Sequence, residues 1–153
     1  MLTQPTDDTM SDISIQSVLR AEYALLCVGD FFKKEFDNFA EEHNVNTIPS
    51  TSHSPMISLR SDLTLALEFY FNFKDSILGT VQEDSFGSLR FRQFIATPLL
   101  PCGSVDAPIK KFTGNGELGD ANDHMTMAIH AFAHFSVVYS QENIVFCDLQ
   151  GKP

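Results

Sequence analysis

Apolar residues recur at steps of three and four over residues 13–43: Val18, Leu19, Tyr23, Leu26 and Cys27, then Phe31, Phe32, Phe36, Phe39 and Ala40. That spacing lines one face of an α-helix. Gly29 interrupts the run, so the pattern fits either one kinked helix or two short ones. Lys33, Lys34, Glu35, Asp37, Glu41 and Glu42 fill the intervening positions and are expected to form a solvated face. Residues 44–62 are rich in Ser, Thr, Pro and Asn and read as a surface loop. The period then changes to two: Leu65, Leu67, Phe69, Phe71 and Phe73 alternate with Thr64, Ala66, Glu68, Tyr70 and Asn72. This alternation predicts a strand, followed by a turn near residues 74–76 and a short strand at 77–81. A third strand is expected at 89–96, ended by Pro98.

The stretch Thr97-Pro98-Leu99-Leu100-Pro101-Cys102-Gly103 reads as a stiff connector between two lobes, because two prolines fix φ and remove two donors. Beyond it, residues 110–113 predict a short strand, and Gly114, Gly116 and Gly119 mark a turn-rich loop without the Lys-Ser/Thr ending of a phosphate loop. Helical spacing returns over 120–140, with Asp120 or Asn122 as N-cap and Met125, Ile129, Phe132, Ala133 and Phe135 or Ser136 on the apolar face. A turn at 140–143 leads to a last strand, Ile144-Val145-Phe146-Cys147-Asp148-Leu149-Gln150-Gly151. On a strand Asp148 and Gln150 share a face, and Gly151 lets the backbone turn away. Two oxygens offered there suit a divalent cation or a substrate hydroxyl. Spacing alone favours a plainer reading, an ordinary buried strand with a polar exit. The elements add up to an α+β fold with an N-terminal helix, a mainly antiparallel sheet and a helix–strand unit, preceded by a frayed, disordered tail at residues 1–12.

A chain of 153 residues with 43% hydrophobic content and 14 Phe can bury a core within one domain. Ten basic against 20 acidic residues give a net charge of −10, which argues against non-specific binding to nucleic acid or to an anionic membrane. The same charge permits a basic peptide or protein as partner. Cys27, Cys102 and Cys147 form no close pair, which argues against a disulfide framework and fits a reducing compartment. No stretch approaches the roughly 20 apolar residues of a membrane span. Residues 1–11 lack the basic start and apolar run of a secretory signal. The expectation is a soluble intracellular protein, cytoplasmic or nuclear.

His130 and His134 lie one helical turn apart, a spacing that can give two imidazoles to one zinc ion, with His124 nearby. Position 131 is Ala, so the glutamate of the His-Glu-x-x-His pattern is missing. One satisfied core histidine beside an exposed one explains the pair as well. No Ser sits in a Gly-x-Ser-x-Gly elbow, Cys147 is flanked by apolar residues, and His-Arg-Asp and Asp-Phe-Gly are absent.

The run Ala131-Phe132-Ala133-His134-Phe135-Ser136-Val137-Val138-Tyr139, followed by residues 140–143 and then Ile144 to Gly151, resembles the alpha-type protein kinases. In that family a helix with an Ala-Phe-Ser-His-Phe-like run precedes a strand ending Asp-Leu/Ile-Gln-Gly. Thr97 to Leu100 and Lys111-Phe112-Thr113-Gly114-Asn115 look like the family's hinge and its Lys-aromatic-x-x-Asn stretch, and residues 19–45 are similar to a helical segment of fungal alpha-kinase-like proteins. The resemblance covers residues 19–151 and is specific over the last third.

It implies a partial two-lobed kinase-like fold, with residues 13–96 as an N-lobe-like part, 97–103 as hinge and 104–153 as a truncated C-lobe-like part. The implied activity is transfer of the ATP γ-phosphoryl group to Ser or Thr of a protein substrate. By the same resemblance Asp148 acts on the substrate hydroxyl, Gln150 is a ligand of Mg²⁺, Leu99 and Leu100 belong to the adenine-side hinge, and His134 matches a ligand of the family's zinc. The family's ATP-anchoring Lys has no match in residues 1–12, Thr97 stands where an acidic residue is expected, and the second metal-binding Asp and remaining zinc ligands have no match before Pro153. Little or no kinase activity of this exact chain and no zinc site are the resulting expectations, with self-association through exposed apolar surface. The competing expectation is a non-catalytic interaction module or an incomplete gene model.

Overall fold

The computed structural model describes residues 2–5, 9–43, 45, 69–82, 91–99, 108–114 and 123–151. The elements run β1 (Leu2–Thr3), α1 (Asp12–Glu42), β2 (Ile77–Thr80), β3 (Gln93–Ala96), β4 (Lys110–Lys111), α2 (His124–Tyr139) and β5 (Gln150–Gly151). Among the described residues, two helices with small antiparallel sheets make the expected α+β class. The chain divides into two compact units, residues 1–31 with 70–100 and residues 32–69 with 101–153, and α1 contributes to both.

In the first unit the strand order is β1-β3-β2, antiparallel throughout. Leu2–Thr3 lie within the expected frayed end, yet they pair with Ala96 and Ile95. Gln4 secures this pairing by donating its side-chain N–H to the carbonyls of Phe91 and Gln93, at 2.5 and 2.9 Å. Ile95, Ile15 and Leu19 are almost fully buried together, with Met10, Tyr23, Leu26, Leu78 and Phe91 around them. Ser11 opens α1, its hydroxyl accepting from the Ser14 N–H at 3.3 Å while Asp12 sits in the first turn, where the helix dipole favours an acid.

Gly29 does not split α1, which is one helix of 31 residues. Its lack of a side chain serves packing instead, since a Cβ there would stand 3.0 Å from a Phe73 ring carbon. Of the long strand expected over 63–73, residues 63–68 lie outside the described ones, and Phe69 to Phe71 carry no ladder. Phe71 and Phe73 stack on each other at 4.8 Å, so their alternation reflects ring packing into the turn at residues 72–75.

The second unit is built on rings. Phe32, Phe36 and Ala40 of α1 are buried together with Ile129, Phe132 and Ala133 of α2 and with Phe69 and Phe112. Phe36 meets Phe132 edge-on at 5.6 Å, and Phe146 stacks on Phe132 at 5.3 Å. Lys33 and Asp37, expected on the solvated face, are instead 4% and 2% exposed. They sit one turn apart on the buried side and close on each other, Lys33 Nζ donating to both carboxylate oxygens at 2.6 and 2.7 Å. The ammonium also lies 4.5 Å over the Phe69 ring.

Candidate functional site

The end of α2 fixes where the candidate site begins. Ser136 is fully buried; its hydroxyl donates to Ala133 O and accepts from the Phe146 N–H at 3.3 Å. The chain between them turns at Gln141 and Glu142, both with positive φ, and Ser140 Oγ accepts from the Ile144 N–H at 2.8 Å. With Phe146 packed on Phe132 and Phe32, the segment that follows is anchored from behind.

Residues 144–149 do not form the predicted strand, and only Gln150–Gly151 is laddered, antiparallel to Lys110–Lys111. Asp148 adopts φ 56°, a left-handed conformation that Asp tolerates better than most residues, and this breaks the period of two. The sharp turn therefore lies at Asp148 and not at Gly151, where a Cβ would meet the Phe112 ring only at an ordinary 3.9 Å. Leu149, next in line, is clamped. Its carbonyl accepts from the Phe112 and Thr113 N–H groups at 2.8 and 3.3 Å, and its N–H donates to Thr113 Oγ1 at 2.9 Å.

Asp148 and Gln150 flank this clamped residue and both are exposed. Lys111 approaches from β4, its Nζ 2.5 Å from Asp148 Oδ1. The neighbouring Lys110 goes elsewhere, donating to Asp123 Oδ2 and to Thr126 Oγ1 at 2.8 Å. Asp123 is the N-cap of α2, accepting from the Thr126 N–H at 2.8 Å, whereas Asp120 and Asn122, the expected caps, lie outside the described residues. The Lys110 ammonium first, then the Thr126 N–H and hydroxyl, hold the Asp123 carboxyl well below the usual carboxylate range.

The histidines part company. His130 is half-buried with Nε2 2.7 Å from the Phe112 carbonyl, which can only accept, so the ring proton is on Nε2. His124 and His134 are exposed. Among the described residues no group of three His, Cys, Asp or Glu is arranged to hold a metal ion. Magnesium asks less of a protein, completing its shell with water and phosphate oxygens, so the exposed amide oxygen of Gln150 fits the part of a single protein ligand. Leu99 belongs to the first unit and is 83% exposed, and Leu100 lies outside the described residues. Cys27 and Cys147 are free and exposed, and Cys102 lies outside the described residues. Among the described residues no helix is long and apolar enough to cross a membrane.

Sequence reasoning missed Lys111 as a partner of Asp148 and Thr113 as the clamp of Leu149. Their only signal was the Lys-aromatic-Thr run itself, because contacts across 36 residues have no local period.

Comparison with curated proteins gives no match, and comparison with solved structures gives none. The model of the alpha-kinase family matches residues 92–153, a stretch that holds β3, β4, α2 and the turn at Asp148. Over that stretch the chain is similar to the alpha-kinase family.

Proposed function

We propose that the chain is an alpha-type protein kinase domain, transferring the γ-phosphoryl group of ATP to Ser or Thr hydroxyls within a two-lobed kinase-like fold. The family match across the Asp148-Leu149-Gln150-Gly151 turn carries this reading. Phosphoryl transfer asks a protein mainly to position the attacking hydroxyl and to neutralise phosphate charge. Asp148 would accept the hydrogen bond of the substrate hydroxyl, and Gln150 would give its amide oxygen to Mg²⁺. When bound with ATP, Mg²⁺ supplies the neutralisation of phosphate charge. The hinge containing Leu99 and Leu100 would face adenine. Thr97 in place of the family's acidic residue predicts weak nucleotide binding and slow transfer. The net charge of −10 favours a basic protein as substrate.

The test is incubation with labelled ATP, Mg²⁺ and a basic test protein, comparing the chain with Asp148→Asn. Asn tolerates the same left-handed turn, so the substitution removes the carboxylate while keeping the backbone. Slow incorporation that drops by about 100-fold or more in the variant is expected, the range for a lost acid–base group. Equal incorporation by both proteins, or none by the unaltered chain, would overturn the reading.

A further inference from the structure

Consecutive strand residues point to opposite faces, so the two lysines of β4 serve different acids. Lys110 is committed to Asp123 and Thr126 at the start of α2. Lys111 is committed to Asp148. The ladder sets Lys111 directly opposite Gln150, and the two residues after it clamp Leu149 between Asp148 and Gln150. The strand that carries the ammonium is therefore indexed to the turn that carries the carboxylate. The two side chains are 55% and 49% exposed, a setting in which an ion pair adds little to stability. Its consequence is electrostatic: one oxygen of Asp148 is occupied, and its single negative charge is offset by an adjacent positive one.

We propose that Lys111 is a positioning residue that reserves Asp148 for a hydroxyl substrate, repelling divalent cations from that carboxylate and leaving Gln150 to receive them. The inference rests on the reading of Asp148 and Gln150 as a phosphoryl-transfer pair. It assigns to Lys111 a role that neither composition nor the family match assigns. A metal bound across both carboxylate oxygens would hold Asp148 away from a hydroxyl, and the ammonium on Oδ1 prevents that mode.

The experiment is a titration of the full chain with Mn²⁺ alone, read as paramagnetic broadening of the Leu149, Gln150 and Gly151 amide signals. Lys111→Gln is expected to bind Mn²⁺ roughly tenfold more tightly at low ionic strength, because a divalent ion a few ångströms away no longer meets a positive charge. Lys111→Arg should behave as the unaltered chain. The gain should vanish in Lys111→Gln with Asp148→Asn, and Lys111→Met serves as a second neutral variant if the first fails to fold. No tightening in either neutral variant, or tightening that survives Asp148→Asn, overturns the proposal, since a purely structural lysine would not couple cation affinity to Asp148. Label transfer separates the two readings: a tightening without any kinase activity counts against the kinase alone, and activity without a tightening counts against Lys111 alone.

Discussion

Lys33 and Asp37 show at the scale of single residues how a charge can be inside and still be stable. Each would be costly to bury alone, and together they satisfy one another at 2.6 and 2.7 Å beneath the Phe69 ring. Removing one partner leaves the other charge buried without this pairing, so Lys33→Met or Asp37→Leu is expected to lower the stability of the fold by about 3–5 kcal/mol. The double substitution should recover most of that loss, because two apolar side chains of similar volume suit the same ring-lined site. Urea denaturation of the three variants checks this, and a double variant as unstable as the sum of the singles would contradict it. The pair was only half legible in the sequence. Its one-turn spacing stands in plain view, but so do eight other charges on the same helix, and charge alone assigns all of them to water. Burial was decided by Phe32 and Phe36, whose neighbours Lys33 and Asp37 share their face. Asp148 was hidden for a different reason, since alternation of side chains carries no sign of a positive φ.

Among the elements, the two long helices and the short strands β2, β3 and β4 were legible, while β1 and the true extent of the last strand were not. Over 31 and 16 residues the helical period repeats often enough to be unambiguous, while strands of two to four residues offer at most one alternation. Helix α2 also shows what the sequence held back, namely the clamp at its start, where Lys110 reaches from β4 to Asp123 and Thr126. The clamp predicts a pH dependence whose sign follows from Asp123. Its carboxyl titrates lower in the folded chain than in the unfolded one, where the value is about 3.9. The stabilisation is therefore complete above that unfolded value and is lost as pH falls below it toward the folded one. Asp123→Asn keeps a capping oxygen but cannot titrate. Between pH 5 and pH 2 the thermal midpoint of the unaltered chain should fall more steeply than that of the variant, as followed by circular dichroism. Parallel curves would show that the clamp does not contribute.

For the whole molecule the question is how a chain with two cores unfolds when one helix runs through both units. The core of the first unit is aliphatic, centred on Ile15, Leu19 and Ile95, and the second is aromatic, centred on Phe132 with Phe36 and Phe146. A cavity in either core weakens the contacts of its own unit first. Ile95→Ala is expected to cost about 2–5 kcal/mol and Phe132→Ala about 3–5 kcal/mol. Local opening is governed by the contacts of each cooperative block, so amide exchange separates the two effects. Ile95→Ala should accelerate exchange in β2, β3 and the part of α1 before Phe31, while the α2 amides keep their rates within about threefold. Phe132→Ala should do the reverse, accelerating α2 and the part of α1 after Phe32. The decisive readout is α1 itself: a step in its exchange rates between residues 31 and 32, moving in opposite senses in the two variants, marks two blocks sharing one helix. Uniform acceleration of every protected amide by both variants would instead mean that α1 transmits any loss to the whole chain, and the two cores would then count as one folding unit.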